Sequence, residues 1–348
     1  MNRADFAEKH LLNRSFISYL LYPVSLCYAG LMLFRRKLWQ GRGYRAPFKV
    51  ISVGNLSSGG SGKSPIAIAL CKELQKRGLN VAYASRGYKS KLEHTANLVS
   101  DGQSLFFPAS AAGDEAVMAA GMLPGIPVFS GRKRKEVLEL AAKAFPELQV
   151  MVLDDAMQHL KVARDLDIVV FDTHSALGNG FVIPAGYLRE GLRALSIKSL
   201  CVIHQKPGAL PNLKLEQALA KTGASLARVQ SRAGDILHQG KPIPPQTLKE
   251  KGIVLISAIA HPASFEKSVK KLGISYQRHL VFPDHFSFED PIIRQQLLHD
   301  PAKHFLCTAK DAAKLEEFIG ERLMVLRMET DIPEALVRRV ITSLAIHQ

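Results

Sequence analysis

The run Val53-Gly-Asn-Leu-Ser-Ser-Gly-Gly-Ser-Gly-Lys-Ser-Pro65 limits the folds open to this chain more than any other stretch. It follows an apolar, β-branched run and opens a helical pattern, so a strand must turn tightly on glycines into a helix. Gly59, Gly60 and Gly62 let the backbone curl until successive N–H groups face inward on an anion. The helix starting near Lys63 points its N-terminal dipole at the same place. Pro65 suits a first turn, where its missing N–H is not needed. In such a loop Lys63 reaches the β- and γ-phosphates of a nucleoside triphosphate, and the Ser64 hydroxyl ligates Mg2+. The cradle is therefore expected over Ser57, Ser58, Gly59, Gly60, Ser61, Gly62, Lys63 and Ser64. It departs from G-x-x-x-x-G-K-[ST] at one position, where Ser57 replaces the first glycine. The loop does not distinguish ATP from GTP.

A second acid is needed for the metal. Val150–Leu153 is an apolar strand pattern that delivers Asp154 and Asp155 at its carboxyl end, where a nucleotide site takes its other magnesium ligand. Paired acids after a strand also open many ordinary loops; the phosphate loop upstream is what makes these two metal candidates. Gln158 and His159 follow closely enough to reach the same cleft.

Around these motifs, strands and helices alternate. Strands are expected at Lys49–Val53, Asn80–Ala84, Ile126–Phe129, Gln149–Leu153, Asp167–Phe171 and Leu200–His204, with helices over Pro65–Arg77, Asp114–Ala120 and Lys133–Phe145. That order predicts an α/β fold with a mostly parallel sheet covered on both faces. Ala224–Gln230 and Ile236–Gln239 read as two short strands about an Arg-Ala-Gly-Asp turn, and Lys241-Pro-Ile-Pro-Pro as a stiff exposed connection. The alternation then restarts through Ile253–Ser257, Tyr276–Val281, His304–Cys307 and Leu323–Met328. The expected organisation is an N-terminal helix over 1–38, a larger nucleotide-binding domain over 39–232, and a linker with a smaller α/β domain over 233–348.

Phe16 to Phe34 holds nineteen residues without a charge, and Arg35, Arg36 and Lys37 follow at once. This is about the minimum for a helix crossing a hydrocarbon core. Pro23, three tyrosines and two serines weaken a clean span, and a buried core helix is the alternative. Asp5 and Glu8 argue against a signal peptide. A membrane-seated helix with its basic flank on the cytosolic side is the reading preferred. The formal net charge of +15 points to anionic partners without choosing one. No zinc-finger, helix-turn-helix or aromatic–basic RNA motif accompanies it, so nucleic acid is not expected. Cys27, Cys71, Cys201 and Cys307 are far apart and form no CxxC pair, which fits a reducing compartment and core packing.

The motifs together resemble the tetraacyldisaccharide 4'-kinase (lipid A 4'-kinase) family. The resemblance rests on Val53-Gly-Asn-Leu with Gly-Gly-Ser-Gly-Lys-Ser-Pro, Ser85-Arg-Gly-Tyr, Ser100-Asp-Gly, Gly113-Asp-Glu, Asp154-Asp-Ala-Met-Gln-His, Ala163-Arg-Asp, Gly178-Asn-Gly, Pro184-Ala-Gly-Tyr-Leu-Arg-Glu, Phe282-Pro-Asp-His-Phe and Thr308-Ala-Lys-Asp-Ala. Ala156, Ala309 and Tyr187 stand where the family more often has glycine, an acid and proline. The resemblance implies two α/β/α domains: a larger P-loop NTPase-like N-terminal one with a parallel-rich sheet and a smaller C-terminal one. A short two-stranded linker joins them, an N-terminal membrane-associated helix precedes them, and the active site lies between them. It implies transfer of the ATP γ-phosphate to the 4'-hydroxyl of a lipid-bearing disaccharide 1-phosphate at the cytoplasmic face of the bacterial inner membrane. A monomer is expected.

The resemblance also makes Asp114 the base that activates the acceptor hydroxyl, with His285 as its partner. Read from the residues alone, Asp114 fits a helix N-cap equally well, and His285 is by default an ordinary loop histidine. Glu190 is then a third candidate near magnesium and Arg189 a phosphate contact, although the two also fit a surface ion pair. Arg86 and His159 are candidates for binding the substrate. The run Arg132-Lys-Arg-Lys135 reads as a solvated helix start that an anionic substrate could use. The competing function is a P-loop switch or metal-chaperone GTPase, which would need neither the acid–histidine pair nor the apolar helix.

Overall fold

The computed structural model describes residues 11–58, 62–173, 175–196, 199–205, 209–248, 252–259, 261–284 and 286–345. His285, Gly59, Gly60 and Ser61 therefore lie outside the described residues. In chain order the elements begin with α1 (Phe16–Trp39), β1 (Lys49–Gly54), α2 (Lys63–Gln75), β2 (Val81–Ser85) and β3 (Asn97–Ser100). They continue with α3 (Ala109–Ala112), α4 (Asp114–Met122), β4 (Val128–Ser130), α5 (Arg134–Ala144), β5 (Val150–Asp154) and β6 (Leu166–Asp172). Next come β7 (Ser199–Gln205), α6 (Leu213–Ala220), β8 (Ser225–His238), β9 (Lys241–Ile243), β10 (Ile253–Ser257) and α7 (Pro262–Lys271). The last are β11 (Arg278–Val281), α8 (Pro291–Leu298), β12 (His304–Thr308), α9 (Ala309–Ile319), β13 (Leu323–Asp331) and α10 (Glu334–Leu344).

The chain packs into two compact units that are not contiguous in sequence. One comprises Met1–Ala84, Arg134–Gln230 and Asp331–Gln348; the other comprises Ser85–Lys133 and Ser231–Thr330. The contiguous division expected from composition placed residues 85–133 with the phosphate loop and residues 331–348 with the smaller domain. Packing assigns both the other way. Apolar patterning records that a helix has a face to bury, and it does not record which core receives that face. The amphipathic α10 packs against α2 and β6, and Glu334 pairs with Arg77.

In the first unit, β8, β7, β6, β1, β5 and β2 lie side by side in that order, and each neighbouring pair is parallel. Val50–Val53 of β1 and all of β5 are buried on both faces, which is why these strands read as continuous apolar runs rather than alternating ones. The β1–β5 register pairs Val53 with Asp154. That pairing sets the phosphate loop and the acid pair at the same carboxyl edge of the sheet.

In the second unit, β10, β11, β12 and β13 are parallel in the order β11-β10-β12-β13, with one core built on Val254, Ile256, Phe288 and Phe305 and another on Leu255, Phe265 and Leu306. β3 and β4 pair antiparallel there, with an irregular register between Leu98 and Ser100. The two strands expected about the Arg-Ala-Gly-Asp turn are one: β8 runs fourteen residues without a break and folds back antiparallel onto β9 through Gln239-Gly240. Gly234 carries no positive φ, so nothing in that sequence obliges the chain to turn. Cys71, Cys201 and Cys307 are buried as expected, and Cys27 on α1 is exposed.

Candidate active site

Gly62 starts the site. It sits at φ +81° as the N-cap of α2, and a Cβ placed there would lie 2.1 Å from Nδ1 of His204. Only glycine satisfies both the backbone angle and that close approach. Ser57 and Ser58 hold the start of the loop. The Ser58 N–H and hydroxyl both donate to the Tyr187 carbonyl, at 2.9 and 3.0 Å, and Ser57 bridges to Leu188. Tyr187 thus serves through its backbone oxygen, which proline would offer equally.

Lys63 and the acid pair meet at the sheet edge. Lys63 Nζ lies 3.3 Å from Asp155 Oδ1 and donates to Asn55 Oδ1 at 3.2 Å. Arg189 approaches the same Asp155 oxygen at 3.7 Å. Burial pushes the Asp155 carboxyl up, but Lys63 and Arg189 together outweigh it and hold the group below its usual value. Asp155 also has φ +49°, a left-handed conformation at the turn that brings its carboxylate back onto the lysine.

Asp154 is the more enclosed acid. Burial raises its pKa; the Ser64 side chain, Lys63 and a 2.8 Å hydrogen bond from the Tyr83 hydroxyl to Oδ2 oppose that rise without cancelling it. Its other oxygen, Oδ1, is buried with no hydrogen-bond partner. A hard divalent cation takes oxygen ligands, and Asp154 Oδ1 with the Ser64 hydroxyl is such a donor set, so the residues fit Mg2+. No group of three His, Cys, Asp or Glu able to hold a metal occurs among the described residues.

The buried charge of Asp154 gives a stability prediction. A carboxyl whose folded pKa is raised favours folding below its unfolded pKa, and that contribution is lost as pH rises through the folded value. Asp154→Asn removes the ionisation while still accepting from Tyr83. In EDTA without nucleotide, the variant is expected to melt about 2–4 °C higher than the parent at pH 7, with the gain vanishing near pH 3.5. A lower melting temperature at pH 7 would refute this account.

Several supporting residues escaped the sequence reading. Arg134, placed in a solvated charge run, is 2% exposed, and its Nη2 donates to the Asp154 carbonyl at 2.6 Å. Tyr83 and Asn55 are fully buried polar members of the same network. The signal for Tyr83 was a hydroxyl in an otherwise apolar strand, since a buried phenol needs a partner. The Ala163-Arg-Asp motif is a brace: Asp165 accepts from the Val50 N–H at 2.9 Å, and Arg164 pairs with Asp167 at 2.6 Å.

The other expected site residues have partners of their own. Glu190 is buried and takes both Nε and Nη2 of Arg36 on Oε2, at 3.1 and 2.9 Å; its partner is the basic end of α1 rather than Arg189. His159 is half-buried, and its backbone closes the turn after the acids by donating to the Ala156 carbonyl at 2.9 Å. Ala156 carries no positive φ, so alanine meets no strain there. In the second unit Arg86 pairs with Glu93 at 2.8 Å and lies over the Tyr88 ring. Asp114 is the first residue of α4 and not its cap, which is Gly113. Its carboxylate pairs with Lys314 at 2.5 Å.

The apolar helix is fastened by a narrow polar seam. Ser25 Oγ donates to the Val182 carbonyl and accepts from the Ala185 N–H, both at 2.9 Å. Asn179 Nδ2 reaches Ser18 Oγ at 3.3 Å, and Tyr22 packs on Phe181. Much of the rest is bare: Phe16, Leu20, Val24, Leu26, Leu31 and Phe34 are each more than half exposed. By length and composition α1 could cross a membrane.

A family model described as "Tetraacyldisaccharide-1-P 4'-kinase" matches residues 17–345. The chain is 35% identical to the tetraacyldisaccharide 4'-kinase of Desulfotalea psychrophila over 314 residues, covering 86% of this chain and 88% of that one. It is 32% identical to the tetraacyldisaccharide 4'-kinase of Pelobacter propionicus, covering 95% and 93%. The fold is similar to the crystal structure of "apo" form LpxK from Aquifex aeolicus in complex with ATP, with a TM-score of 0.78 and 28% identity, covering 94% of this chain and all of that one.

Proposed function

Since the chain belongs to the tetraacyldisaccharide-1-P 4'-kinase family, kinases of lipid A biosynthesis, we propose that it transfers the γ-phosphoryl group of ATP to the 4'-hydroxyl of a tetraacyldisaccharide 1-phosphate. The observation that carries this reading is the meeting of Lys63, Ser64, Asp154 and Asp155 at one edge of the sheet. A phosphoryl transfer asks mainly for placement and charge neutralisation. Lys63 exchanges its Asp155 partner for phosphate oxygens, and the N-terminus of α2 adds its dipole. Asn55 holds the lysine's stem end in place, and Arg189 supplies a second cation beside the same acid.

Ser64 and Asp154 are the residues that would hold Mg2+, with Asp155 beside them and Glu190 in its surroundings. Bound there, the metal neutralises charge on the phosphates. Ser57, Ser58, Gly59, Gly60, Ser61 and Gly62 complete the cradle. Asp114 orients the acceptor hydroxyl and accepts its proton, with His285 as partner, and Arg86 and His159 contact the anionic substrate.

The test is radiolabel transfer from γ-labelled ATP to a tetraacyldisaccharide 1-phosphate. Label in the lipid, matched by ADP, is expected; ADP release without the acceptor would support a switch instead.

An acceptor with acyl chains stays in its bilayer, and α1 accounts for how the enzyme meets it. The nineteen uncharged residues span about 28 Å as a helix, close to a hydrocarbon core of about 30 Å. The basic flank from Arg35 to Lys37 meets anionic headgroups on the cytoplasmic side of the inner membrane. Deleting residues 1–38 is expected to move the protein from the vesicle fraction to the soluble one in flotation with anionic liposomes. Undiminished flotation would assign membrane binding elsewhere.

A further inference from the structure

Lys314 is a cation with two fixed contacts and little exposure. It lies on α9, which packs against α4 within the second unit. Its Nζ is 2.5 Å from Asp114 Oδ2, and the two side chains are only 9% and 13% exposed. The same nitrogen donates to the Phe286 carbonyl at 2.9 Å. One turn earlier on α9, Lys310 Nζ reaches Asp284 Oδ1 at 2.8 Å. The loop they grip is anchored by the rings of Phe282, Phe286 and Phe288, whose centroids are 4.9–5.1 Å apart. Asp114 and Lys314 also line a cavity of about 290 Å3. The carboxylate is thus both held and open to a small group.

We infer that Lys314 is a positioning residue for acceptor activation: it aims the Asp114 carboxylate, keeps it ionised, and ties it to the Phe286 carbonyl. The inference rests on Asp114 being the base proposed above. An ammonium at contact distance in a half-dry site stabilises the ionised form of a carboxyl. The other charges lining this cavity are Lys89 and Lys91 from the preceding loop, Glu289 and Arg294 at α8, and Glu317 on α9, and Glu115 follows Asp114 in the first turn of α4. They are of both signs, so they offset one another, and the contact ion pair dominates. No bond is made or broken by Lys314; it accepts no proton from the substrate and passes none on.

The test is the pH profile of kcat/KM for the lipid acceptor in Lys314→Gln and Lys314→Arg, with nucleotide affinity and melting temperature measured alongside. Lys314→Gln is expected to lower kcat/KM by about 10- to 100-fold at pH 7 and to move the acidic limb up by about one pH unit. ATP affinity should be unchanged. Lys314→Arg, keeping the charge, should leave the limb within a few tenths of its original position even if its rate falls. A uniform loss at every pH, with the acidic limb unmoved in Lys314→Gln, would reduce Lys314 to a structural tie and overturn the inference. If Lys314→Gln unfolds, the unshifted limb of Lys314→Arg decides the matter, since a shift there would overturn it. Asp114→Asn separates the two readings: if it retains activity, the base assignment fails whatever Lys314 does.

Discussion

Lys63→Ala is expected to lower phosphoryl transfer on the order of 10³-fold and to weaken ATP binding as well. In the proposed mechanism the lysine is the residue of the cradle that turns its charge from the protein to the nucleotide. It sits 3.3 Å from Asp155 and 3.2 Å from Asn55, and its side chain is largely buried. Removing it also leaves Asp155 with Arg189 at 3.7 Å and the field of Arg134, which adds a modest stability cost. Lys63→Met keeps most of the packing and separates that cost from the lost charge. Single-turnover rates with labelled ATP, together with nucleotide titrations, check both halves. A variant with near-parental turnover would remove Lys63 from the mechanism.

Asp114→Asn should instead lower kcat by about 10²- to 10⁴-fold while leaving ATP affinity nearly intact. The substitution preserves shape and the start of α4, where Gly113 rather than Asp114 provides the cap. The helix should therefore survive, and the loss reports the missing base. His285→Ala is expected to follow the same pattern. An Asp114→Asn enzyme that turned over normally would leave the carboxylate as a partner for Lys314 and nothing more.

The two variants probe different units of the chain. Lys63 was legible because strand, glycines, lysine and helix start lie within one short stretch, where local geometry dictates chemistry. Asp114 carries no such local mark. An acid at a helix start is common, and only its place in a long series of family motifs pointed to a base. The Lys314 contact had no sequence signal at all, because 200 residues separate the partners. Arg134 was misplaced for a related reason. A run of four cations reads as solvated, yet one of them turns inward to the Asp154 carbonyl while Lys135 stays out and pairs with Glu139.

α1 shows the same division. Nineteen uncharged residues and the cations after them suggested a membrane helix. What they could not show was the polar seam of Ser18, Ser25 and Arg36, which joins that helix to Asn179, Ala185 and Glu190. Arg36 was counted as part of a basic flank, whereas its guanidinium ends on the carboxylate next to Arg189.

From sequence alone came the nucleotide loop, the α/β alternation, the acid pair and the apolar helix, because each depends on neighbours in the chain and on the periods of helix and strand. Tertiary structure decided the rest: that 85–133 packs with 231–330, that β8 is one strand, that Glu190 answers to Arg36, and that Asp114 is gripped by Lys314. These are contacts between distant residues, set by which faces share a core and which buried charges must find a partner. No local pattern encodes them.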